Sequence, residues 1–363
     1  MKALVIGGGG PTGPFVVEGL RQRGYQVAIL NRGVHRVPIP DDVEQIIGDP
    51  HFLEPLQAAI GSRDFDLVIA SYGRLAVVAE ALAGRTERFI GVGGYVAYRG
   101  FYAPTANWPT GLLVPTAEDH PLVRDVAEHR FSALVAAAED AVFRLHPKAT
   151  VFRYPYVYGP RQLVPREWSI VRRVIDGRRE IVVLNGGASL MMHGYAENLA
   201  HAVMLAVDQP SAAAAQVFNC GDAVQLDLRQ QIEVAADTLG VKLELVSVPE
   251  LPITRAIAVT APSTAVVLDL TLIKRLLGYR DVVPPVEALS RTIRYYFENP
   301  LERGGFIEQR MFDSFDYDAE DRVIALFRNY VAQLEALPVP AVQTAHPYPH
   351  PTKTGNSLDQ RGR

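Results

Sequence analysis

Short apolar runs alternate with amphipathic stretches through the first half of this 363-residue chain. The runs have the length and the β-branched composition of strands that are buried on both faces of a sheet. The predicted strands are Ala3–Ile6, Gln26–Leu30, Val43–Ile47, Leu67–Ala70, Phe89–Val92 and Thr150–Phe152. The predicted helices between them are Pro14–Arg23, Leu53–Ile60, Leu75–Leu82 and a longer Ala-rich helix at about Val123–Leu145. Such alternation predicts an α/β fold with a doubly wound parallel sheet.

After Gly159 the apolar segments are more scattered and longer loops separate them. Helices are predicted at Trp168–Ile175, Glu197–Val207, Leu228–Leu239, Leu272–Leu277, Val286–Phe297 and Ala319–Leu334. Strands are predicted at Glu180–Leu184, Ala215–Asn219 and Leu243–Val248. Residues 338–363 are rich in Pro, His and polar residues, which predicts an extended tail without a core of its own. Its His346 and His350 are too few for a closed metal site, so we predict no metal.

A glycine-rich loop follows the first strand and opens the first helix. Gly7, Gly10 and Gly13 have the G-x-x-G-x-x-G spacing, with Pro11 and Thr12 between the last two. Glycine allows a tight turn and lets the backbone approach a pyrophosphate, which the N–H groups of the helix N-terminus then bind. The strand–turn–helix context indicates dinucleotide binding. The alternative is a glycine-rich turn without a ligand.

The second predicted strand ends at Asn31-Arg32-Gly33, where an NAD site usually places an acidic residue for the ribose 2′-hydroxyl. No acid is present there. Arg32, with help from Arg36, can instead pair with a 2′-phosphate through charge-assisted hydrogen bonds. We therefore predict NADP(H) as the cofactor in preference to NAD(H). The alternative is that Arg32 is a solvated loop charge.

The composition of the chain indicates which partners it can bind and in which cellular compartment it is expected. The net charge is −4, so no basic field favours nucleic acid, and no binding to nucleic acid is expected. Cys220 is the one cysteine, which excludes an intrachain disulfide, fits a reducing compartment and is expected to be a small buried residue. No apolar run is long enough for a bilayer, and the N-terminus has no signal-peptide pattern. The expected location is the cytoplasm, away from membranes.

Several motifs together carry a family resemblance. They are the loop at Gly7–Gly13, Asn31-Arg32-Gly33, Gly48-Asp49, Arg153-Tyr154-Pro155-Tyr156-Val157-Tyr158-Gly159-Pro160, His193–Ala200 and Lys274–Tyr279. Over roughly residues 1–300 the chain resembles the extended short-chain dehydrogenase/reductases, also called the NAD-dependent epimerase/dehydratase family. The resemblance implies a Rossmann-type domain at 1–160, with 191–220 returning to it. It also implies a smaller substrate-binding lobe with C-terminal helices at 161–190 and 221–337.

The resemblance also implies roles for individual residues. Asp49 would contact the adenine, and Ala70, Ser71 and Tyr72 would line the ribose and phosphate side of the cofactor. Pro155, Tyr156 and Val157 would cradle the nicotinamide carboxamide. Tyr156, Arg161, His193 and Tyr195 would lie on segments that converge on the pocket of a small-molecule substrate. The chain would form a homodimer through the helices at 75–84 and 123–145.

The departures from the family pattern fall on its proton-transfer residues. The family's Tyr-x-x-x-Lys-x-x-x-Glu aligns, through Glu139, with Phe131 and Val135. Gly94 stands where the family has Ser or Thr, and Asn198 replaces an acid. The family tyrosine relays a proton because a nearby cation lowers its pKa, and neither Phe131 nor Val135 can do this. The usual acid–base pair is therefore missing.

Three residues are candidate replacements for it. Tyr98 and Tyr95 follow the fifth predicted strand, at the sheet edge where ligands bind in such folds. Glu128 lies three residues before Phe131 and so on the same helix face, although a surface carboxylate is the more usual interpretation. His129 is two residues from Phe131, which by helical periodicity turns it to another side of the helix.

The sequence thus favours an atypical NADP(H)-dependent oxidoreductase that acts on a small organic molecule without the Ser-Tyr-Lys set. The first alternative is a non-redox isomerase or lyase on the same scaffold, with the cofactor as a structural element or transient hydride store. The second is a non-catalytic protein that binds NADP(H) and regulates a partner.

Overall fold

A computed structural model of the chain describes residues 1–33, 39–71, 74–259, 264–341 and 354. Two compact units follow each other along the chain, Met1–Asp316 and Tyr317–Arg363. The predicted contributions of Arg36 and Tyr72, and the predicted tail beyond residue 341 apart from Thr354, lie outside the described residues.

A seven-stranded parallel sheet forms the centre of the first unit. Its strands are β1 (Lys2–Ile6), β2 (Gln26–Asn31), β3 (Glu44–Ile47), β4 (Phe65–Ala70), β5 (Thr86–Gly94), β6 (Thr150–Tyr154) and β10 (Gln216–Asn219). The spatial order is β10-β6-β5-β4-β1-β2-β3, and every neighbouring pair is parallel. The order in which the strands are added reverses between β1 and β4, the position where doubly wound sheets bind ligands. The predicted α/β class and doubly wound sheet are confirmed.

Helices cover both faces of this sheet, because alternate residues of each buried strand point to opposite sides. On one face Ala3 and Val5 pack against α1 (Gly13–Gln22) and α6 (Ala196–Asp208). The other face packs against α2 (Leu53–Ile60), α3 (Leu75–Ala81) and α4 (Val126–Leu145). The two cores hold the carboxyl edge of the sheet in place. Pairing of two subunits through α3 and α4 stays a prediction.

A smaller core lies beyond the sheet. Strands β8 (Glu180–Leu184) and β11 (Glu244–Val248) form a parallel pair, packed with α5 (Trp168–Ile175), α8 (Leu228–Leu239) and α11 (Pro285–Glu298). The remaining short helices of the unit are α7 (Pro210–Ala213), α9 (Pro252–Ile257) and α10 (Thr271–Leu277). In the second unit the chain forms α12 (Tyr317–Glu335). The division into a nucleotide domain and a substrate lobe stays a prediction. No helix in the described part of the chain has the length and apolarity of a membrane span.

The periodicity identified most elements and missed the shortest. The structure adds the three-residue strands β7 (Tyr156–Tyr158) and β9 (His193–Tyr195), which pair in parallel beside the main sheet. Runs this short carry no readable period. The helix predicted to begin at Val123 begins three residues later, where the Asp125 carboxylate accepts a hydrogen bond from the backbone of Ala127 as an N-cap.

A buried ion pair connects the sheet to α4. Arg153 on β6 donates from Nε and Nη2 to the two carboxylate oxygens of Glu139, at 3.0 and 2.6 Å. Its Nη1 donates to the Tyr98 hydroxyl at 2.9 Å and to the backbone carbonyl of Glu118 at 2.7 Å. Both charged side chains are more than nine-tenths buried. The bidentate geometry and the additional acceptors together offset the cost of burying the charges.

We predict that Glu139→Ala lowers the free energy of unfolding by roughly 3–5 kcal/mol, because it leaves the Arg153 guanidinium buried without its counter-charge. Asp140→Ala is the matched control, since Asp140 pairs with Arg124 at the surface, where both side chains are 58% exposed. That variant should lose at most about 1 kcal/mol. Urea unfolding measures both values. An equal loss of unfolding free energy in the two variants would show that the buried ion pair stabilises the fold no more than the exposed one.

A second buried carboxylate lies just before α5. Glu167 is 4% exposed, and its Oε2 has no hydrogen-bond partner among the described residues. Two small cavities of about 20 Å³ flank it, and His193 and Gln231 line both. Each has room for about one water molecule. Burial raises the pKa of Glu167 to about 7, against the opposing effects of its own backbone N–H and the Arg166 charge.

This carboxylate predicts a pH dependence of stability. The folded pKa of Glu167 is about 7 and the ordinary value is 4.5, so the folded chain keeps a proton that the unfolded chain releases. The free energy of unfolding should therefore fall as pH rises from 4.5 to 7, by up to roughly 3 kcal/mol from this group. Glu167→Gln should remove that part of the slope, whereas Glu233→Gln, an exposed control, should keep it. Chemical unfolding at several pH values tests this, and identical slopes in all three proteins would contradict it.

Candidate active site

The glycine loop joins β1 to α1 with backbone contacts that exclude side chains at two positions. Gly7 has a φ of +90°, and a Cβ there would lie 2.4 Å from the backbone oxygen of Ser71. A Cβ on Gly13 would lie 2.0 Å from the oxygen of Gly8. At Gly10 the nearest atom would be 3.7 Å away, an ordinary van der Waals distance, so a Cβ would fit there. The loop therefore has the close packing and the open face that a phosphate cradle requires.

The helix that follows the loop begins without a side-chain cap. Thr12 occupies the N-cap position, is buried and makes no side-chain cap hydrogen bond, and Pro11 precedes it. The first-turn N–H groups of α1 are therefore not capped by a side chain. Such groups, with the positive end of the helix dipole, suit an anionic ligand.

A cleft of about 620 Å³ opens over this loop, a size typical of small-molecule and cofactor sites. Its sheet-side wall is formed by Gly7, Gly9, Gly10, Leu30, Asn31, Arg32, Gly33, Pro50 and Ser71. Its opposite wall is formed by Arg161, Gln162, Leu163, Tyr295, Tyr296, Asn299, Leu301 and Ile307. Predicted phosphate-loop residues and predicted ribose-side residues thus share one cleft.

The residues at the ends of β2 and β3 differ in their position relative to the cleft. The Asn31 side-chain oxygen accepts from the backbone of Gly33 at 2.8 Å and from Gln45 Nε2 at 3.2 Å, which fixes the turn. Arg32 is exposed on the cleft wall and makes no hydrogen bond or ion pair with another described residue. Asp49 does not line the cleft. Its carboxylate is hydrogen-bonded to the backbone N–H and the ring of His51, and those hydrogen bonds lower the pKa of Asp49.

Strand β4 places the next predicted residues. Ala70 ends the strand and is fully buried, so its side chain belongs to the core. Ser71 follows it on the cleft wall, where its backbone N–H donates to Ile6 at 2.9 Å. Ser71 thus lies beside the glycine loop, and the roles of Ala70 and Ser71 in lining a cofactor stay predictions.

The predicted nicotinamide cradle lies next to the other end of the cleft. Pro155 separates β6 from β7, and Tyr156 and Val157 lie on β7. None of the three lines the cleft directly. Gln162 connects them to it, because it lines the cleft and its side-chain amide donates to the Val157 carbonyl. The Tyr156 hydroxyl donates to the Val164 carbonyl at 2.7 Å and accepts from the Arg166 backbone at 2.8 Å.

The helix that should carry the family's Tyr and Lys is interrupted near its start. His129 has φ −161° and ψ 107°, which breaks α4 after its first turn. The His129 ring stacks on Tyr102, with 4.3 Å between ring centres, and Phe131 meets the same Tyr102 edge-on at 6.4 Å. The prediction that His129 faces away from Phe131 was therefore wrong, because it assumed an unbroken helix. Phe131 itself is 52% exposed.

Tyr98 is placed as a structural residue. Its side chain is fully buried, its hydroxyl donates to Asn219 Oδ1 at 2.6 Å, and it accepts from Arg153. Burial raises the pKa of Tyr98 to about 12, although the Arg153 charge opposes the rise. Both hydrogen-bonding positions of the phenol are occupied within the protein, which favours a packing role over proton donation.

Tyr95 and Glu128 have different surroundings. The Tyr95 ring is 4% exposed and packs edge-on against Phe101, with 4.7 Å between ring centres, while its hydroxyl has no hydrogen-bond partner among the described residues. Burial raises its pKa, so the phenol keeps its proton at neutral pH. The Glu128 carboxylate binds Arg99 Nε through both oxygens, at 3.1 and 3.0 Å. Of the predicted candidates, Tyr95 alone has an unengaged hydroxyl.

Two charged residues beside this region were missed in the sequence. Arg166 and Glu167 directly precede the apolar helix α5 and face β7 and β9. Their signal was weak, because charged residues before an apolar helix usually belong to its solvated first turn. His193 on β9 was noticed through its motif. Burial, and then the Arg166 charge, lower its pKa to about 3, so its ring is neutral.

Two sequence comparisons show which known proteins this chain is similar to. Residues 127–221 match the model of the NAD dependent epimerase/dehydratase family. The 3-diazoavenalumate denitrifying reductase of a Streptomyces species is 26% identical over 228 residues, covering 57% of this chain and 72% of that protein. The family segment runs from the first turn of α4 to just beyond β10, and so contains the Arg153–Pro160 and His193–Ala200 motifs.

Solved structures with low identity share the fold. The UDP-glucose 4-epimerase of Thermotoga maritima, solved with UDP-glucose, has a TM-score of 0.66 at 19% identity and covers 82% of this chain and 99% of that chain. The Bordetella bronchiseptica enzyme WbmG, solved with NAD, has a TM-score of 0.65 at 17% identity, covering 82% and 94%. The predicted resemblance of this chain to the NAD-dependent epimerase/dehydratase family is therefore confirmed.

Proposed function

We propose that this protein is an NADP(H)-dependent oxidoreductase that acts on a small organic molecule without the family's Tyr and Lys. The cleft of about 620 Å³ over the glycine loop carries the proposal, since it joins the phosphate cradle, the turn after β2 and Ser71. Its glycines and uncapped helix start fit a dinucleotide. The reductase among the relatives and the NAD-bound structure of the fold support the same class. When bound, the cofactor supplies or accepts the hydride.

The kind of cofactor depends on the turn after β2. An NAD site commonly has an acidic residue there, and this chain has Asn31 and Arg32 instead. The Arg32 guanidinium lies on the cleft wall and makes no hydrogen bond or ion pair with another described residue, so its donors are available to a 2′-phosphate. WbmG was solved with NAD, and the preference for NADP(H) in this chain therefore rests on Arg32.

The proton that accompanies the hydride has one best-placed source. Tyr95 keeps its proton at neutral pH, and its hydroxyl is not engaged by another described residue. The Arg166 charge opposes the burial-driven rise in the pKa of Tyr95, which is the effect that the family's lysine has on its tyrosine. We propose that Tyr95 donates this proton, with Tyr98 as part of the supporting network. Glu128, bound to Arg99, is the weaker candidate.

A non-redox isomerisation is the second candidate function. Solved structures of the same fold are named as 4-epimerases, some of them with NAD bound. In such a reaction the cofactor would return to its starting oxidation state at the end of each turnover. Formation of product without net oxidation or reduction of the cofactor would identify it.

We predict that Arg32→Ala weakens NADPH binding roughly ten- to a hundred-fold, because charge-assisted hydrogen bonds to the 2′-phosphate are worth about 1.5–3 kcal/mol. NADH binding should change little, since NADH lacks that phosphate. Titration of cofactor fluorescence gives both dissociation constants. Arg275→Ala, another exposed arginine without a described partner, should leave both unchanged. Unchanged NADPH affinity in Arg32→Ala would exclude the proposed role.

A substrate is first identified by measuring NADPH oxidation with a panel of carbonyl and enone compounds. Phe substitutions at Tyr95 and Tyr98 then test which residue donates the proton. Tyr95→Phe should lower kcat roughly 10²–10⁴-fold, the usual contribution of a general acid, with cofactor affinity unchanged. Tyr98→Phe should instead cost about 1–3 kcal/mol of stability, because Asn219 and Arg153 lose a buried partner. A full kcat in Tyr95→Phe would contradict the assignment.

A further inference from the structure

Each wall of the cleft over the glycine loop carries one arginine. Arg32 lies on the sheet-side wall, and Arg161 lies on the opposite wall, in the turn that follows β7. Like Arg32, Arg161 is exposed and makes no hydrogen bond or ion pair with another described residue. Among the described residues that line the cleft there is no Asp, Glu or Lys. Two cationic residues therefore border one volume, and its described lining contains no acid to neutralise them.

The turn after β7 holds Arg161 in a conformation that is unusual for a residue with a Cβ. Its φ is +66°, in the left-handed region. The turn is fixed from two sides. The buried Tyr296 hydroxyl lies 3.3 Å from the carbonyl oxygens of both Gly159 and Gln162 and can donate to either, and the Gln162 amide donates to the Val157 carbonyl. The Arg161 side chain makes no hydrogen bond or ion pair within the described structure that would offset the cost of this φ, which points to a role outside the fold itself.

The sheet-side wall supplies less positive charge than the proposed cofactor requires. Each phosphate of the pyrophosphate carries one negative charge, and NADP(H) adds a 2′-phosphate of about −1.5 to −2. The N-terminus of α1 behind the glycine loop is equivalent to roughly half a positive charge. Arg32, in the turn after β2, is placed for the 2′-phosphate. On this wall the pyrophosphate therefore has backbone N–H groups and a helix dipole, but no full counter-charge among the described residues.

The position of Arg161 along the cleft matches the pyrophosphate. Its neighbour Gln162 lines the cleft and is hydrogen-bonded to Val157 of the predicted nicotinamide cradle. Arg32 lies at the other end of the cofactor, where the adenosine ribose is expected. The pyrophosphate joins the two halves of a dinucleotide, and the glycine loop that suits it lines the same cleft as Arg161. Of the two arginines, Arg161 is therefore the one placed for the pyrophosphate.

We propose that Arg161 binds the cofactor pyrophosphate from the wall opposite the glycine loop, so that backbone N–H groups hold the diphosphate on one side and a guanidinium on the other. The proposal deepens the proposed function and rests on it, since it concerns the same cofactor. A guanidinium pairs with phosphate oxygens through two parallel hydrogen bonds. Arg161 then contributes to the affinity for both NADH and NADPH, whereas Arg32 distinguishes between them. This assigns Arg161 to the cofactor, although the family resemblance places it on a segment near the substrate.

Titrations of cofactor fluorescence with two arginine variants separate the two kinds of phosphate. Arg161→Gln should weaken the binding of NADPH and of NADH by the same factor, roughly ten- to a hundred-fold, because both contain the pyrophosphate. Arg32→Ala should weaken NADPH alone. Arg294→Gln is the matched control, since Arg294 is exposed on α11 next to the cleft residue Tyr295 but does not itself line the cleft. It should bind both cofactors as the unaltered protein does.

The outcomes distinguish this proposal from the proposed function. If Arg161→Gln binds both cofactors with full affinity, or loses affinity for NADPH alone, Arg161 does not hold the pyrophosphate and the proposal is overturned. If the unaltered protein binds neither NADPH nor NADH, the proposed function itself has failed, which is seen before any variant is made.

Two further variants test whether Arg161 serves the fold or the ligand. Glycine adopts a φ of +66° without strain, so the urea midpoint of Arg161→Gly should equal or exceed that of the unaltered protein, while the affinity for both cofactors falls as in Arg161→Gln. Arg161→Lys keeps the charge without the planar fork and should recover part of the lost affinity. A lower urea midpoint in Arg161→Gly with unchanged cofactor affinity would show that Arg161 is structural, and would overturn the proposal.

Discussion

The buried guanidinium of Arg153 is the interaction on which the rest of the site depends. It binds Glu139 of α4, the Tyr98 hydroxyl of the turn after β5, and the Glu118 carbonyl of the long loop that follows. Tyr98 extends the network to Asn219 at the end of β10. A charge buried on a central strand has to keep its partners, since an unpaired one is very costly. The carboxyl edge of the sheet, the middle of α4 and the Tyr95–Tyr98 turn are therefore fixed relative to one another.

This constraint explains how the nucleotide-binding half can keep its form while the proton-transfer residues change. The glycine loop is held by backbone contacts with Ser71 and Gly8, which do not involve α4. Phe131 and Val135 lie on α4, whose first turn is broken at His129. The close contacts of the glycine loop thus do not include the positions where the family's Tyr and Lys would stand.

The sequence predicted what depends on periodicity and local chemistry. Buried strands, amphipathic helices and the loop between β1 and α1 each leave a pattern within a few neighbouring residues. The break at His129 leaves no such pattern, and the ring contact that accompanies it is with Tyr102, on a loop earlier in the chain. The sequence also does not show that Arg166 makes no ion pair with another described residue, because this depends on which side chains lie near it in space. The hydrogen bond of Tyr98 is likewise formed with Asn219, more than a hundred residues away. Long-range contacts decide which of several plausible side chains is left with an unoccupied hydroxyl or charge.

The three loop glycines differ in what keeps them in the sequence. Gly7 and Gly13 have no room for a Cβ, so the folded chain requires them whether or not a nucleotide ever binds. Gly10 lies on the cleft wall with space around it and an ordinary backbone conformation, so the fold would accept alanine there. In a protein of this fold that no longer bound a nucleotide, position 10 could accept another residue without disturbing the fold, whereas the other two glycines could not. Of the three glycines, Gly10 is thus the one whose presence indicates a bound ligand and not a requirement of the fold.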